Sequence, residues 1–287
     1  MQNILWYCRQ FILLMKPGIV LGNLLPLIAG FFLADGNDFS VLFLVAIGGS
    51  GIIACGCVIN NYIDIDIDTV MERTKNRPLP LGNIKPKTAL LFGILLGIIS
   101  AAILWFFVGR LACALSIVGL FFYIVVYTIL TKRNTVYAVH IGSIAGAVPP
   151  LIGYCAVKSP DMQAFLLFLS VAIWQVPHSF AIHVFRFQDY ANAKIKTVPN
   201  TRGVKYTAKS MLCYIGFYIM LVSGFLFYSS IHFVLAACVM VACVFWLKTT
   251  LDFYNKQEIK DVRMSFGASI INMTALSFVI ICDKIIF

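Results

Sequence analysis

Asn60, Asp64 and Asp68 stand four residues apart in the stretch NNYIDIDIDTVMERTKNRPLPLGNIKP. On a helix, this spacing puts three side-chain oxygen donors on one stripe about 12 Å long. Asp66 lies between them and points about 200° away from Asp64. Carboxylate and amide oxygens suit Mg²⁺ (or Mn²⁺), which takes one or two carboxylates together with substrate phosphates. Arg73 and Arg77 follow, and arginine grips phosphate oxygens in a two-pronged fork. One stretch therefore offers a metal site (Asn60, Asp64, Asp68) and an anion clamp. A calcium loop fits poorly, because Thr69 stands where the required Gly belongs and Lys75 where the twelfth-position Glu belongs. A solvated acidic helix end balanced by nearby arginines is the plainer alternative.

A second group lies in WQVPHSFAIHVFRFQDYANAKIKTVPNTRG, with Pro177, His178, His183, Arg186, Asp189, Tyr190 and Lys194 close in sequence. His178 and Arg186 are eight residues apart and would share a broad face of a continuous helix. Asp189 is a candidate second metal ligand, and Lys194, Lys196 and Arg202 are candidates to hold phosphate. Either histidine taken alone reads more simply as a packed or hydrogen-bonded residue. Lys132 and Arg133 form a third polar patch, read first as a topology signal, with Lys132 also a candidate to bind an anionic ligand.

The elements that must carry these residues are membrane spans. Of 287 residues, 61% are hydrophobic and only 12% charged, against about 25% charged in a soluble domain. Apolar runs of the required ~20 residues fall at roughly 15–34, 40–63, 87–108, 112–131, 135–156, 161–184, 208–229, 231–250 and 264–283. The fold class expected is all-α: a polytopic integral membrane protein of nine transmembrane helices, forming one domain over 1–287. Long loops near 64–86 and 185–207 carry both polar groups, and long ordered loops in a compact domain tend to be functional. With the N-terminus placed inside, every Lys and Arg except Arg110, Lys158 and Lys284 falls on the inner side. That is a strong positive-inside pattern, so both long loops are expected to be cytoplasmic. The net charge of +10 then reflects attraction to anionic membrane lipid, and no nucleic-acid partner is expected. No cleavable signal peptide or transit extension is visible, so a bacterial inner (cytoplasmic) membrane is the simplest address. Cys55 and Cys57 are expected to act as small residues in helix packing.

These residues resemble the UbiA superfamily of intramembrane prenyltransferases. The superfamily's N-x-x-x-D-x-x-x-D motif and its R-T-x-x-R-P-L-P continuation are matched by Asn60, Asp64, Asp68, Arg73, Thr74, Arg77, Pro78, Leu79 and Pro80. HIGSIAGAVPPLIGY at 140–154, together with Trp174, Pro177, His178, Asp189 and Tyr190, is similar to the heme-farnesylating branch. The resemblance runs from about residue 16 to the last span. It departs from the superfamily at Phe185, where many members carry the first acid of a second D-x-x-x-D. It departs again at Ser179 of the branch's P-H-F, and at Lys194-Ile195-Lys196 where Gly-Ile-Pro is usual.

The resemblance implies a Mg-dependent enzyme whose first substrate is farnesyl diphosphate. Asn60, Asp64 and Asp68 would hold the metal, and Arg73, Arg77 and Lys194 would neutralise the leaving diphosphate. The farnesyl group would pass to a vinyl group of heme b, with water addition giving heme O for terminal oxidases. His178 or His183 is then a candidate to hold heme iron or orient a propionate, and Arg186 to pair with a propionate. A heme A synthase or a terminal oxidase is a candidate partner. Two alternatives stand beside it. One is a prenyltransferase with an aromatic quinone-precursor acceptor, which calls for the missing second acid. The other is a membrane transporter, which calls for internal repeats and midplane charge.

Overall fold

The computed structural model describes residues 2–287, with side chains from Ile4 onward, and contains helices and no strand among them. The chain enters through α1 (Gln2–Leu14), bends by 55° at Met15-Lys16, and continues as α2 (Pro17–Leu33). Pro17 suits the start of α2, since its missing N–H falls where helical donors have no partner. Then follow α3 (Phe39–Ile63), the short α4 (Ile65–Val70), α5 (Pro86–Val108) and α6 (Arg110–Thr131). The pair α7 (Ala138–Gly146) and α8 (Val148–Cys155) leads to α9 (Met162–Phe185). Two short helices, α10 (Phe187–Asn192) and α11 (Val198–Arg202), precede α12 (Val204–Tyr228), α13 (Phe233–Lys256) and α14 (Ile259–Ile286).

Eight of these segments are long and apolar enough to cross a bilayer, and the bent α1–α2 pair makes nine if counted as one span. The nine-span expectation holds with two adjustments. The first span is the bent α1–α2 pair, broken by 55° between Leu14 and Pro17, rather than a straight helix from residue 15. The fifth is two helices joined at Ala147.

Small residues let these helices touch. A Cβ on Gly30 of α2 would run into the Pro150 carbonyl of α8, and one on Gly153 of α8 would run into the Leu27 carbonyl of α2. Such close backbone approach is how helices associate in lipid, where burial of apolar groups gives no advantage. The AGAVPPLIGY stretch therefore serves packing between α2 and α8. All nine cysteines are free, and Cys55 and Cys57 are buried. Asp38 caps α3 by accepting from the Ser40 and Val41 N–H groups, and Asp161 caps α9 in the same way from Gln163 and Ala164.

Polar groups sort to the two ends of the bundle. At one end Asp35 pairs with Lys284 and Lys158. At the other, the 64–86 loop, the α6–α7 turn and the 185–207 loop meet. There the Glu72 N–H donates to Asp189 Oδ1 at 3.1 Å, and Ile67, Met71 and Ile195 bury one another. Both long loops thus share one face.

Candidate active site

The stripe expected from Asn60, Asp64 and Asp68 is present, though the helix does not run through it unbroken. The α3 helix ends at Ile63, Asp64 leaves helical geometry (φ −95°, ψ 14°), and α4 begins at Ile65. The i→i−4 bonds nevertheless persist: Asp64 N–H to the Asn60 carbonyl at 3.0 Å, and Asp68 N–H to the Asp64 carbonyl at 2.8 Å. The three side chains stay aligned and are buried, at 4%, 1% and 3% exposure. Asp66 faces outward, where both Arg133 nitrogens fork onto its carboxylate at 2.7 and 2.8 Å. That fork holds the Asp66 carboxyl below its ordinary range.

Four cations bear on the stripe. Arg77 Nη1 donates to Asp68 Oδ2 at 2.7 Å and to Asn61 Oδ1 at 3.2 Å. Lys132 Nζ donates to Asp64 Oδ2. Arg133 Nη2 lies 3.5 Å from Asp64 Oδ1. Lys16 Nζ donates to Asn60 Oδ1 at 2.7 Å. Asn60 Nδ2 in turn donates to Asp64 Oδ2 at 2.8 Å and Thr128 Oγ1 at 3.1 Å.

Thr128 and Lys132 reach the stripe because the end of α6 is not an α-helix. Residues Phe122–Thr131 form a π-helix, in which the Lys132 N–H bonds the Tyr127 carbonyl and Thr128 Oγ1 donates to the Tyr123 carbonyl. The wider turn resets which residues face α3, and π segments recur at functional sites. Arg73 lies in the turn region after α4, exposed, and lines a 390 Å³ cleft with Lys16, Asn76 and Arg77.

The second group divides. Asp189, on α10, is buried beside the first loop through its bond from Glu72, and burial pushes the Tyr190 hydroxyl up. The Tyr190 ring meets the edge of His183 at 4.5 Å between centroids. His178 is stacked on Trp174 at 4.6 Å, packed against Phe266, and bonded through Nδ1 to Ser269 Oγ at 2.7 Å.

The helix is continuous from His178 to Phe185, and Arg186 caps it outside helical geometry (φ −113°, ψ 22°), with its N–H on the Ile182 carbonyl at 3.0 Å and its Nε buried and unpartnered. Lys194 is exposed with a left-handed backbone (φ 55°), on a separate 330 Å³ cleft beside Asp66 and Arg133. Arg202 points to Tyr206 and Tyr137, away from the stripe.

Sequence reasoning missed Lys16, Asn61 and Thr128. Lys16 counted only as a topology charge, and a π-helix leaves no periodic signal. Adjacency to Asn60 could have flagged Asn61, which donates to the Leu14 carbonyl at 2.9 Å while accepting from Arg77.

Among the described residues, no three His, Cys, Asp or Glu side chains converge as a metal cage. The oxygen donors that do gather fit a hard divalent ion that an anionic ligand helps to coordinate. Three buried carboxylate oxygens, Asp64 Oδ1, Asp189 Oδ2 and Asp261 Oδ2, accept no hydrogen bond, and such atoms are normally satisfied.

Buried oxygens and surplus cations at one mouth of an apolar helix bundle mark a membrane-embedded site for an anionic group. A profile of the UbiA prenyltransferase family matches residues 23–271, and the chain belongs to that family. It is 41% identical over 284 residues to the protoheme IX farnesyltransferase of Salmonella typhimurium (strain LT2), covering 96% of this chain and 94% of that one. Its fold is similar to that of digeranylgeranylglyceryl phosphate synthase (TM-score 0.77, 17% identity, all of both chains). It is also similar to a UbiA homolog from Archaeoglobus fulgidus bound to GPP and Mg²⁺ (TM-score 0.70, 16% identity, 95% of this chain and 99% of that one).

Proposed function

We propose that this protein transfers a farnesyl group from farnesyl diphosphate to a vinyl group of heme b, with addition of water, to give heme O and diphosphate. The observation that carries the chemistry is the buried Asn60–Asp64–Asp68 stripe with an unsatisfied Asp64 oxygen under a ring of cations. The near full-length likeness to protoheme IX farnesyltransferases supports heme as the acceptor.

Asn60, Asp64 and Asp68 would hold Mg²⁺ or Mn²⁺, with Asp189 available from the facing loop. When bound, the ion supplies charge neutralisation for the diphosphate. Arg77 and Lys132 sit on Asp68 and Asp64, beside the place of the diphosphate, and would turn from those oxygens to the leaving group as the allylic C–O bond breaks and negative charge gathers on it. Arg73 adds a further cation from the adjoining cleft. The farnesyl tail lies among the apolar helices, which keep water from the cation until the vinyl carbon attacks. Water then adds to the resulting side-chain cation and loses a proton, leaving the hydroxyethylfarnesyl group.

His183 is the stronger candidate to meet heme, because its Nδ1 is buried without a partner while His178 Nδ1 is bonded to Ser269. Arg186, whose Nε is buried without a partner, would pair with a propionate. Tyr190 supports the His183 ring. The site then faces the cytoplasm of a bacterial inner membrane, and a heme A synthase or terminal oxidase would take the product. The test is pigment analysis: membranes expressing the chain should convert heme B to heme O, and unchanged heme B alongside prenylation of an aromatic acid would assign the acceptor elsewhere.

A further inference from the structure

Lys16 belongs to none of the motifs above. It is the residue at which α1 turns into α2, and its backbone is left-handed (φ 52°, ψ 67°), a conformation that side chains beyond glycine rarely adopt. Non-glycine residues held in such a conformation cluster where the surrounding structure needs them, often at ligand clamps. This lysine is half-buried, with Nζ on Asn60 Oδ1 at 2.7 Å.

Three other cations at the mouth face a carboxylate: Arg77 faces Asp68, Lys132 faces Asp64, and Arg133 faces Asp64 and Asp66, while Arg73 is exposed to solvent. Lys16 has only a neutral amide oxygen, and among the described residues no carboxylate lies within ion-pair distance of it. The cleft it lines holds Arg73 and Arg77 and no acid. A partly buried ammonium among like charges is poorly compensated, and the partner that would compensate it is an anion. Its position on Asn60, like those of Lys132 on Asp64 and Arg77 on Asp68, conflicts with a metal there. A dication bound to the same oxygen would sit within a few ångströms of the ammonium, and the two charges would repel strongly. The flexible four-carbon stem allows the ammonium to move off Asn60 without any shift of the backbone.

We propose that Lys16 is a diphosphate-binding residue that alternates between two partners. It occupies Asn60 Oδ1 when the stripe holds no divalent ion, and moves to a diphosphate oxygen when ion and prenyl diphosphate enter together. Lys16 thereby opposes metal alone and favours metal with substrate, which couples the two binding events. This proposal rests on the reading of the site as a prenyl diphosphate site.

The coupling predicts opposite signs for two affinities. Full-length protein in lipid nanodiscs is titrated with Mn²⁺ alone, followed by electron paramagnetic resonance, and then with the unreactive analogue farnesyl thiolodiphosphate plus Mg²⁺, followed by calorimetry. Lys16→Met is expected to bind Mn²⁺ alone at least threefold more tightly and the analogue at least tenfold more weakly. Lys16→Gly suits the left-handed backbone, guards against misfolding of the first variant, and should show the same pair of changes. Lys16→Arg should keep analogue binding within threefold of the parent. Unchanged or weaker Mn²⁺ binding, or unchanged analogue binding, in the Met and Gly variants overturns the proposal. If the parent protein itself fails to bind the analogue with metal, the reading of the site falls, and the proposal with it.

Discussion

Asp64 and Asp66 are two residues apart and look in opposite directions. The first is 1% exposed and held by Lys132, while the side chain of the second is 65% exposed and held by Arg133. The difference survives the helix break at Asp64 because the flanking i→i−4 bonds are kept.

Carboxylates within five residues of one another are therefore expected to differ sharply in effect. Asp64→Asn and Asp68→Asn should each lower the rate of heme O formation by two orders of magnitude or more, through lost charge stabilisation in the ionisation step. Asp66→Asn should cost less than tenfold. Equal losses for all three at matched membrane expression would contradict the assignment, and near-normal Asp64→Asn would remove the metal from this segment.

Metal dependence should be complete. Protein stripped with chelator should lose activity and regain it with Mg²⁺ or Mn²⁺, because hard oxygens and diphosphate favour such ions. Full turnover in excess chelator would exclude the mechanism.

Topology is open to labelling. Single cysteines placed at Lys75 and Lys196 should react with a membrane-impermeant reagent only in inverted vesicles, since nearly all basic residues lie on that side. Reaction in intact cells would reverse the orientation.

Lys194 has a φ of 55°, the conformation glycine adopts freely. Lys194→Gly should stabilise the protein by up to about 1 kcal/mol, seen as a higher melting temperature in detergent. Since Lys194 lies exposed beside Asp66, away from Asp64 Oδ1, KM for farnesyl diphosphate should rise less than threefold. A tenfold rise would put this side chain on the diphosphate.

Gly153→Ala should drive a methyl group into the Leu27 carbonyl and part α2 from α8. Overpacking of this kind costs about 1–3 kcal/mol, so the melting temperature should fall by several degrees. An unchanged melt would mean that the two helices are not in backbone contact.

The stripe of oxygen donors was legible because a period of four keeps residues on one helical face, and the bundle because apolar runs of span length are unmistakable. What escaped was set by tertiary placement. Lys16 looked like any charge at a membrane border, and only the bend at α1–α2 brings it to Asn60. Thr128 faces Asn60 because of π-helical turns within an unbroken apolar run. The helix that carries His178 ends at Phe185 with Arg186 as its cap, a break that carries no proline or glycine to announce it.

The bond from Glu72 to Asp189 joins residues 117 positions apart, and its consequence lies in how the protein is made. Contacts between distant parts of a chain form late, after the intervening loops have been closed. A nascent chain that has inserted only its first helices already carries Asn60, Asp64, Asp68 and Arg77, but not the second loop that lies against them. Ionisation of an allylic diphosphate in so open a structure would release a carbocation to water. On the proposed reading of the site, a mouth divided between two distant segments would stay unreactive until the later helices had docked, and assembly itself would act as the safety catch.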